Sequence, residues 1–194
     1  MINPNRLDVG RAALLVIDVQ EKLLPLIQGR AELLAACALL VRGAALFELP
    51  VVVTEQYPQG IGPTDAALRK ALQNTGAAFV TKAAFSACGE DAVRAKMRGM
   101  DRDQIILCGI ESHVCVQQTA LDLLLMDYTT VVCADAIGSR RTLDHTTALE
   151  RMRHAGAAVT TVESVLFELC GGCGGGRFKS MIELIKSPRD RSAS

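Results

Sequence analysis

The chain has 194 residues, of which 49% are hydrophobic, and its 21 basic residues balance 21 acidic ones. That length suits one domain of ordinary size, here the whole of residues 1–194, and the apolar fraction suffices for one continuous core, which excludes global disorder. A balanced charge supplies no net field to hold nucleic acid or an anionic membrane, so the expected partner is a small, uncharged or modestly charged molecule.

Met1 to Gly10 is polar and lacks the apolar core of a signal peptide. The first apolar run, Ala12 to Ile17, is too short to span a bilayer and ends at Asp18. A soluble cytoplasmic protein is therefore expected. The seven cysteines are an odd number and mostly sit singly in apolar runs, as in Ile106-Leu107-Cys108 and Val132-Cys133-Ala134. They read as reduced thiols of a reducing compartment, where a positioned cysteine suggests catalysis.

Apolar runs rich in Val, Ile and Leu recur along the chain: Ala12–Ile17, Val51–Thr54, Ala78–Thr81, Ile105–Cys108, Thr130–Cys133 and Val159–Val162. Such runs are strands buried on both faces, as in a parallel sheet. Between them lie helix-period patterns at Arg30 to Leu49, stopped by Pro50, at Asp65 to Leu72, at Val116 to Met126, and at Arg141 to Ala155 before Gly156. The alternation predicts an α/β fold, a doubly wound three-layer sandwich with about six strands and a core spanning about residues 12–167. Residues 170–194 are expected to form a flexible Gly-rich connection, Cys170 to Gly176, then a short amphipathic helix over Phe178 to Lys186 and a frayed polar tail.

In open parallel sheets ligands bind beyond the carboxyl ends of the strands. Three predicted strand ends carry reactive chemistry: Asp18 after the first, Lys82 after the third, and the segment Gly109 to Cys115 after the fourth, directly before a helix. At the first turn of that helix, free N–H groups and the helix dipole would favour a Cys115 thiolate. Asp18 would act as general base, Lys82 would balance the charge, and the N–H groups of the turn would stabilise an oxyanion. Singly, each residue has a plainer role: Cys115 as a buried filler, Asp18 as a helix cap, Lys82 as a solvated cation. Their joint placement at three strand ends favours the functional reading.

The stretches Leu14-Leu15-Val16-Ile17-Asp18-Val19-Gln20, Thr81-Lys82-Ala83-Ala84-Phe85-Ser86, Cys108-Gly109-Ile110-Glu111-Ser112-His113-Val114-Cys115-Val116 and Ala134-Asp135-Ala136 resemble the isochorismatase-like cysteine hydrolases. The resemblance implies a six-stranded, mostly parallel sheet and a catalytic triad of Asp18, Lys82 and Cys115. It also implies a non-proline cis peptide at Ile110–Glu111 that aims an N–H at the oxyanion, and assembly into a homo-oligomer, with the apolar helix Val116 to Met126 as a candidate contact. The implied reaction is attack by Cys115 on an amide or carbamoyl carbon, loss of ammonia or an amine, and hydrolysis of the thioester. Members that cleave a vinyl ether do not need the cysteine, so Cys115 tilts the reading towards C–N chemistry. Metal-dependent nicotinamidases of this family carry histidines after the second strand, whereas this chain has Thr54-Glu55-Gln56-Tyr57-Pro58-Gln59-Gly60 there. No metal and no cofactor is implied.

Gln20, Gln56, Tyr57 and Phe85 are candidate substrate contacts, with packing or a solvated turn as the alternative. Glu111 and His113 flank Cys115 but are assigned no proton transfer, because side chains in a tight turn often point to solvent. His145 and His154 fall on different faces of the predicted Arg141 to Ala155 helix. Cys170-Gly-Gly-Cys173 has the Cys-x-x-Cys spacing but supplies half a zinc site at most and reads as incidental. Two further functions remain open: a catalytically idle, oligomeric interaction module and a thiol-based redox sensor.

Overall fold

Residues 6–187 are described by a computed structural model. Six parallel strands form one sheet: β1 (Ala12–Ile17), β2 (Val51–Gln56), β3 (Ala78–Lys82), β4 (Gln104–Ile110), β5 (Thr129–Gly138) and β6 (Ala158–Thr160). Their order across the sheet is β3-β2-β1-β4-β5-β6. The helices are α1 (Arg30–Leu46), α2 (Pro58–Ile61), α3 (Ala66–Leu72), α4 (Asp91–Gly99), α5 (Gln117–Leu125), α6 (Thr142–His154), α7 (Val162–Cys170) and α8 (Gly176–Lys186).

Because successive residues of a strand face opposite sides, β1 feeds two cores. Ala12, Leu14 and Val16 pack with Leu40 of α1, Leu68 of α3 and Leu166 of α7, while Ala13, Leu15 and Ile17 pack with Val93 of α4, Leu123 of α5 and Met152 of α6. The chain winds outward from β1 to β3, returns to the other side of β1 as β4, and winds outward again to β6. This makes the cleft beyond the carboxyl ends of β1 and β4 the topological switch point, where such sheets bind ligands.

Several elements differ from the sequence expectation for identifiable reasons. α1 stops at Leu46 rather than Leu49, because Glu48 takes a left-handed backbone (φ 58°) while Phe47 and Leu49 turn into the core. α4 has no counterpart in the sequence reading, since only Val93 and Met97 of its nine residues are buried. Val162 was expected to end a strand. Instead the Thr161 side chain accepts from Ser164 N–H and caps α7, so Val162 begins a helix.

The C-terminal segment is better anchored than expected. α8 buries Met181 completely and lays Phe178, Ile182 and Ile185 on the α1 and α7 side of the core. Expectations for the first five residues and for the tail beyond Ser187 lie outside the described residues. No helix among the described residues is long and apolar enough to cross a membrane.

One glycine is required where β4 meets β1. Gly109 has φ +124°, and a Cβ built there would lie 2.0 Å from Ile17 O. Gly109→Ala is expected to lower stability by about 2–4 kcal/mol, combining backbone strain with overpacking, and the shift of the urea midpoint measures it.

Candidate active site

Strand register brings the reactive side chains together. The last pair of β1 with its neighbours joins Ile17 to Thr54 on one side and to Gly109 on the other. Asp18 follows with a left-handed backbone (φ 52°) and is wholly buried. Its N–H donates to Thr54 O at 3.2 Å, and its Oδ1 accepts from Thr54 Oγ1 at 2.7 Å. Lys82 ends β3, two strands from β1, in register with Gln56 of β2. Its long stem therefore crosses the end of β2 to reach Asp18.

The Lys82 ammonium is the hub of the site. Nζ lies 2.7 Å from Asp18 Oδ2, and both side chains have no exposure to solvent. Its three N–H groups are shared among further acceptors within reach: Gln56 Oε1 at 2.5 Å, the carbonyls of Ala84 and Phe85 at 3.1 and 3.0 Å, and Cys115 Sγ at 3.5 Å. Carboxylate, ammonium and thiol thus converge beyond the carboxyl ends of β1, β3 and β4. A surface cavity of about 550 Å³ lined by Arg11, Met97, Asp103 and Tyr128 sits at the opposite edge, where strands β1, β4 and β5 begin, and its lining brings no thiol or lysine to its carboxylates.

Two expectations about Cys115 change. It lies in a wide π-helical turn, Ser112–Val116, that leads into α5, rather than in the first turn of α5 itself. Its thiol is also not poised as a thiolate. Burial pushes its pKa up to about 12, with the Asp18 carboxylate adding to the rise and Lys82 only partly opposing it. The resting group is the thiol, and any attack by it needs a base at the moment of reaction. Thiolate absorbance compared between wild type and Cys115→Ala is expected to show no Cys115 ionisation between about pH 7 and 9, where an ordinary thiol titrates.

The other candidates divide by what their polar atoms already hold. Gln20 is fully buried, and both ends of its amide are used: Nε2 donates to Gln56 O and Gly62 O at 3.0 and 2.6 Å, and Oε1 accepts from Gln56 N–H at 2.8 Å. It braces the loop after β2 and has no group left for a substrate. Gln56 likewise serves the protein, its Oε1 holding Lys82 and its Nε2 donating to Ala83 O. Tyr57 and Phe85 are 60% and 57% exposed beside the ends of β2 and β3, and the carbonyl of Phe85 reaches Lys82.

The residues flanking Cys115 in this turn do not point to solvent as expected. The Ile110–Glu111 peptide is cis. Glu111 is buried, its Oε2 accepting from Arg140 N–H and Nε at 3.0 and 3.1 Å. His113 Nδ1 meets Ser139 Oγ at 2.9 Å, and His145 Nδ1 meets Ser112 Oγ at 2.9 Å. His154, on the far side of α6, bonds the Glu150 carbonyl of its own helix.

Thr54 is a site residue that the sequence reading passed over. Its one signal is a hydroxyl closing the run Val51-Val52-Val53. Thr54→Val keeps the shape but leaves Asp18 Oδ1 without its hydroxyl donor in a buried position. The expected loss is about 1–3 kcal/mol, read from the denaturation midpoint.

Comparison with known proteins identifies the family and the fold. Residues 12–164 match the family model described as the isochorismatase domain. The isochorismatase domain-containing protein 2 of Xenopus laevis is 37% identical over 180 residues, covering 91% of this chain and 84% of that protein. The secreted isochorismatase effector Isc1 of Phytophthora sojae is 38% identical over 183 residues, covering 93% and 87%. Among solved structures, one described as the MAR1 ribonuclease of Caenorhabditis elegans superposes with a TM-score of 0.89 at 34% identity, covering 97% of each chain.

Proposed function

Because the chain belongs to the isochorismatase family of hydrolases, we propose that it is a metal-independent cysteine hydrolase that cleaves a small amide or carbamoyl compound at its C–N bond. The supporting observation is one contact chain: Cys115 Sγ lies 3.5 Å from Lys82 Nζ, which lies 2.7 Å from Asp18 Oδ2, all three buried.

In this reading Asp18 takes the thiol proton as Cys115 Sγ attacks the carbonyl carbon. Lys82 balances the negative charge that passes from carboxylate to sulfur to oxygen, and main-chain N–H groups of the turn from Ile110 through Glu111 to Cys115 receive the oxyanion. Collapse breaks the C–N bond, and the amine leaves with the proton that Asp18 held. A water molecule then attacks the thioester and gives its proton to Asp18. The acid departs, and the proton returns to sulfur.

A buried ammonium supplies the fixed positive charge that a metal ion supplies in other hydrolases. Tyr57 and Phe85, exposed at the same edge, are placed to meet the body of a substrate. Self-association and residence in a reducing compartment belong to the same proposal. In their support, Leu125 and Met126 at the end of α5 are exposed, and all seven cysteines are free.

The test is intact-mass analysis of wild type and Cys115→Ala after incubation with small amides, carbamoyl compounds, a vinyl ether and a short RNA, alongside assays for ammonia and for cleavage of the last two. An acyl adduct on Cys115 with ammonia release, both absent in the variant, supports the proposal. Vinyl-ether or RNA cleavage that survives Cys115→Ala, or silence towards every compound, overturns it; silence would favour the idle interaction module.

A further inference from the structure

Three consecutive residues of the nucleophile turn are held by one short stretch of chain. Glu111, Ser112 and His113 are bonded to Arg140, His145 and Ser139, all within the segment that ends β5 and opens α6. α6 is anchored independently, through Ala148 and Met152 in the core. The segment therefore acts as a fixed clasp against which the turn is set.

The three bonds are not equivalent. Arg140 is exposed, and Glu111 receives two donors from it, so water can replace part of that bond. Ser112 is wholly buried, opens the turn three residues before Cys115, and has the half-buried His145 ring as its side-chain partner. A buried hydroxyl that loses its partner has no water to turn to and shifts to find another. Burial also lowers the pKa of His145, which favours the neutral ring, and its Nδ1 and the Ser112 hydroxyl share one hydrogen bond of 2.9 Å.

We infer that His145 is a positioning residue: through Ser112 it sets the turn that keeps the Cys115 thiol buried against Asp18 and Lys82. This deepens the hydrolase reading, since the thiol so placed is the proposed nucleophile.

Alkylation by iodoacetamide, mapped by peptide mass, reads the placement of the thiol whether or not Cys115 proves to be a nucleophile. The protein carries its own controls: exposed Cys173 marks an unhindered thiol, while Cys37, Cys108 and Cys133 mark the integrity of the core. In His145→Ala and in Ser112→Ala, a loosened turn lets Cys115 ionise more as an ordinary thiol does. Its alkylation relative to Cys173 is expected to rise about fivefold or more at mildly alkaline pH, with the three core cysteines still protected. His145→Asn, whose side-chain amide offers both an acceptor and a donor near the place of Nδ1, is expected to restore most of the protection. An unchanged Cys115 ratio in His145→Ala overturns the inference, as does a rise shared by Cys37, Cys108 and Cys133, which would make His145 a general stabiliser of the fold. Loss of the hydrolase reading alone would appear differently, as ammonia release that persists in Cys115→Ala while the alkylation pattern still holds.

Discussion

Asp18→Asn is expected to raise the reactivity of Cys115 towards iodoacetamide while lowering ammonia release by about three orders of magnitude or more. The opposite signs follow from the two things Asp18 does. As a charge beside the thiol, it helps raise the pKa of Cys115 to about 12, while Lys82 pulls the other way. Removing the carboxylate leaves Lys82 unopposed at 3.5 Å from the sulfur, so the thiolate becomes more accessible and alkylation, which needs only a thiolate, accelerates. In the proposed reaction Asp18 is the proton carrier that takes the thiol proton and delivers it to the departing amine, and asparagine can do neither. Cys115→Ala removes alkylation at this position and is expected to abolish turnover. Parallel rate measurements on the two variants therefore separate charge from proton transfer. If Asp18→Asn slowed both reactions equally, Asp18 would be an orienting group and not the base.

The sheet was legible in the sequence because strands buried on both faces leave continuous Val, Ile and Leu runs, and Ala12–Ile17 matches β1 residue for residue. Asp18, Lys82 and Cys115 were legible for a related reason: a polar residue ending such a run has a predictable place at the carboxyl edge. Elements whose form depends on tertiary contacts were not. α4 offers two buried residues in nine and is held by packing on the sheet, while the fate of Val162 turned on a cap from Thr161. The charge state of Cys115 was misread because local helix geometry argued for a thiolate, whereas burial and Asp18, brought in from a strand almost a hundred residues earlier in the chain, dominate. The partners of Ser112, His113 and Glu111 come from residues 139–145, and no spacing within the nucleophile motif announces them. Gln20 and Gln56 fall at the edge as expected, but the protein groups that their amides already hold are visible only in three dimensions.

The stability of the site is expected to depend on Asp18 and Lys82 as a pair. Lys82→Met keeps much of the buried stem but leaves the Asp18 carboxylate with no cation and no solvent, and the expected loss is about 3–5 kcal/mol at neutral pH. Asp18→Asn is the milder change, since the ammonium keeps Gln56 Oε1 and the carbonyls of Ala84 and Phe85 as acceptors. In the double variant no unpaired charge remains, and much of the stability lost in Lys82→Met should return. A coupling energy of about 2 kcal/mol or more, obtained from urea denaturation of the four proteins, is the expected signature of a buried ion pair. Coupling near zero would mean that water enters the site and screens the pair. Such screening would also undermine a thiol pKa raised chiefly by burial, and with it the need for Asp18 as base.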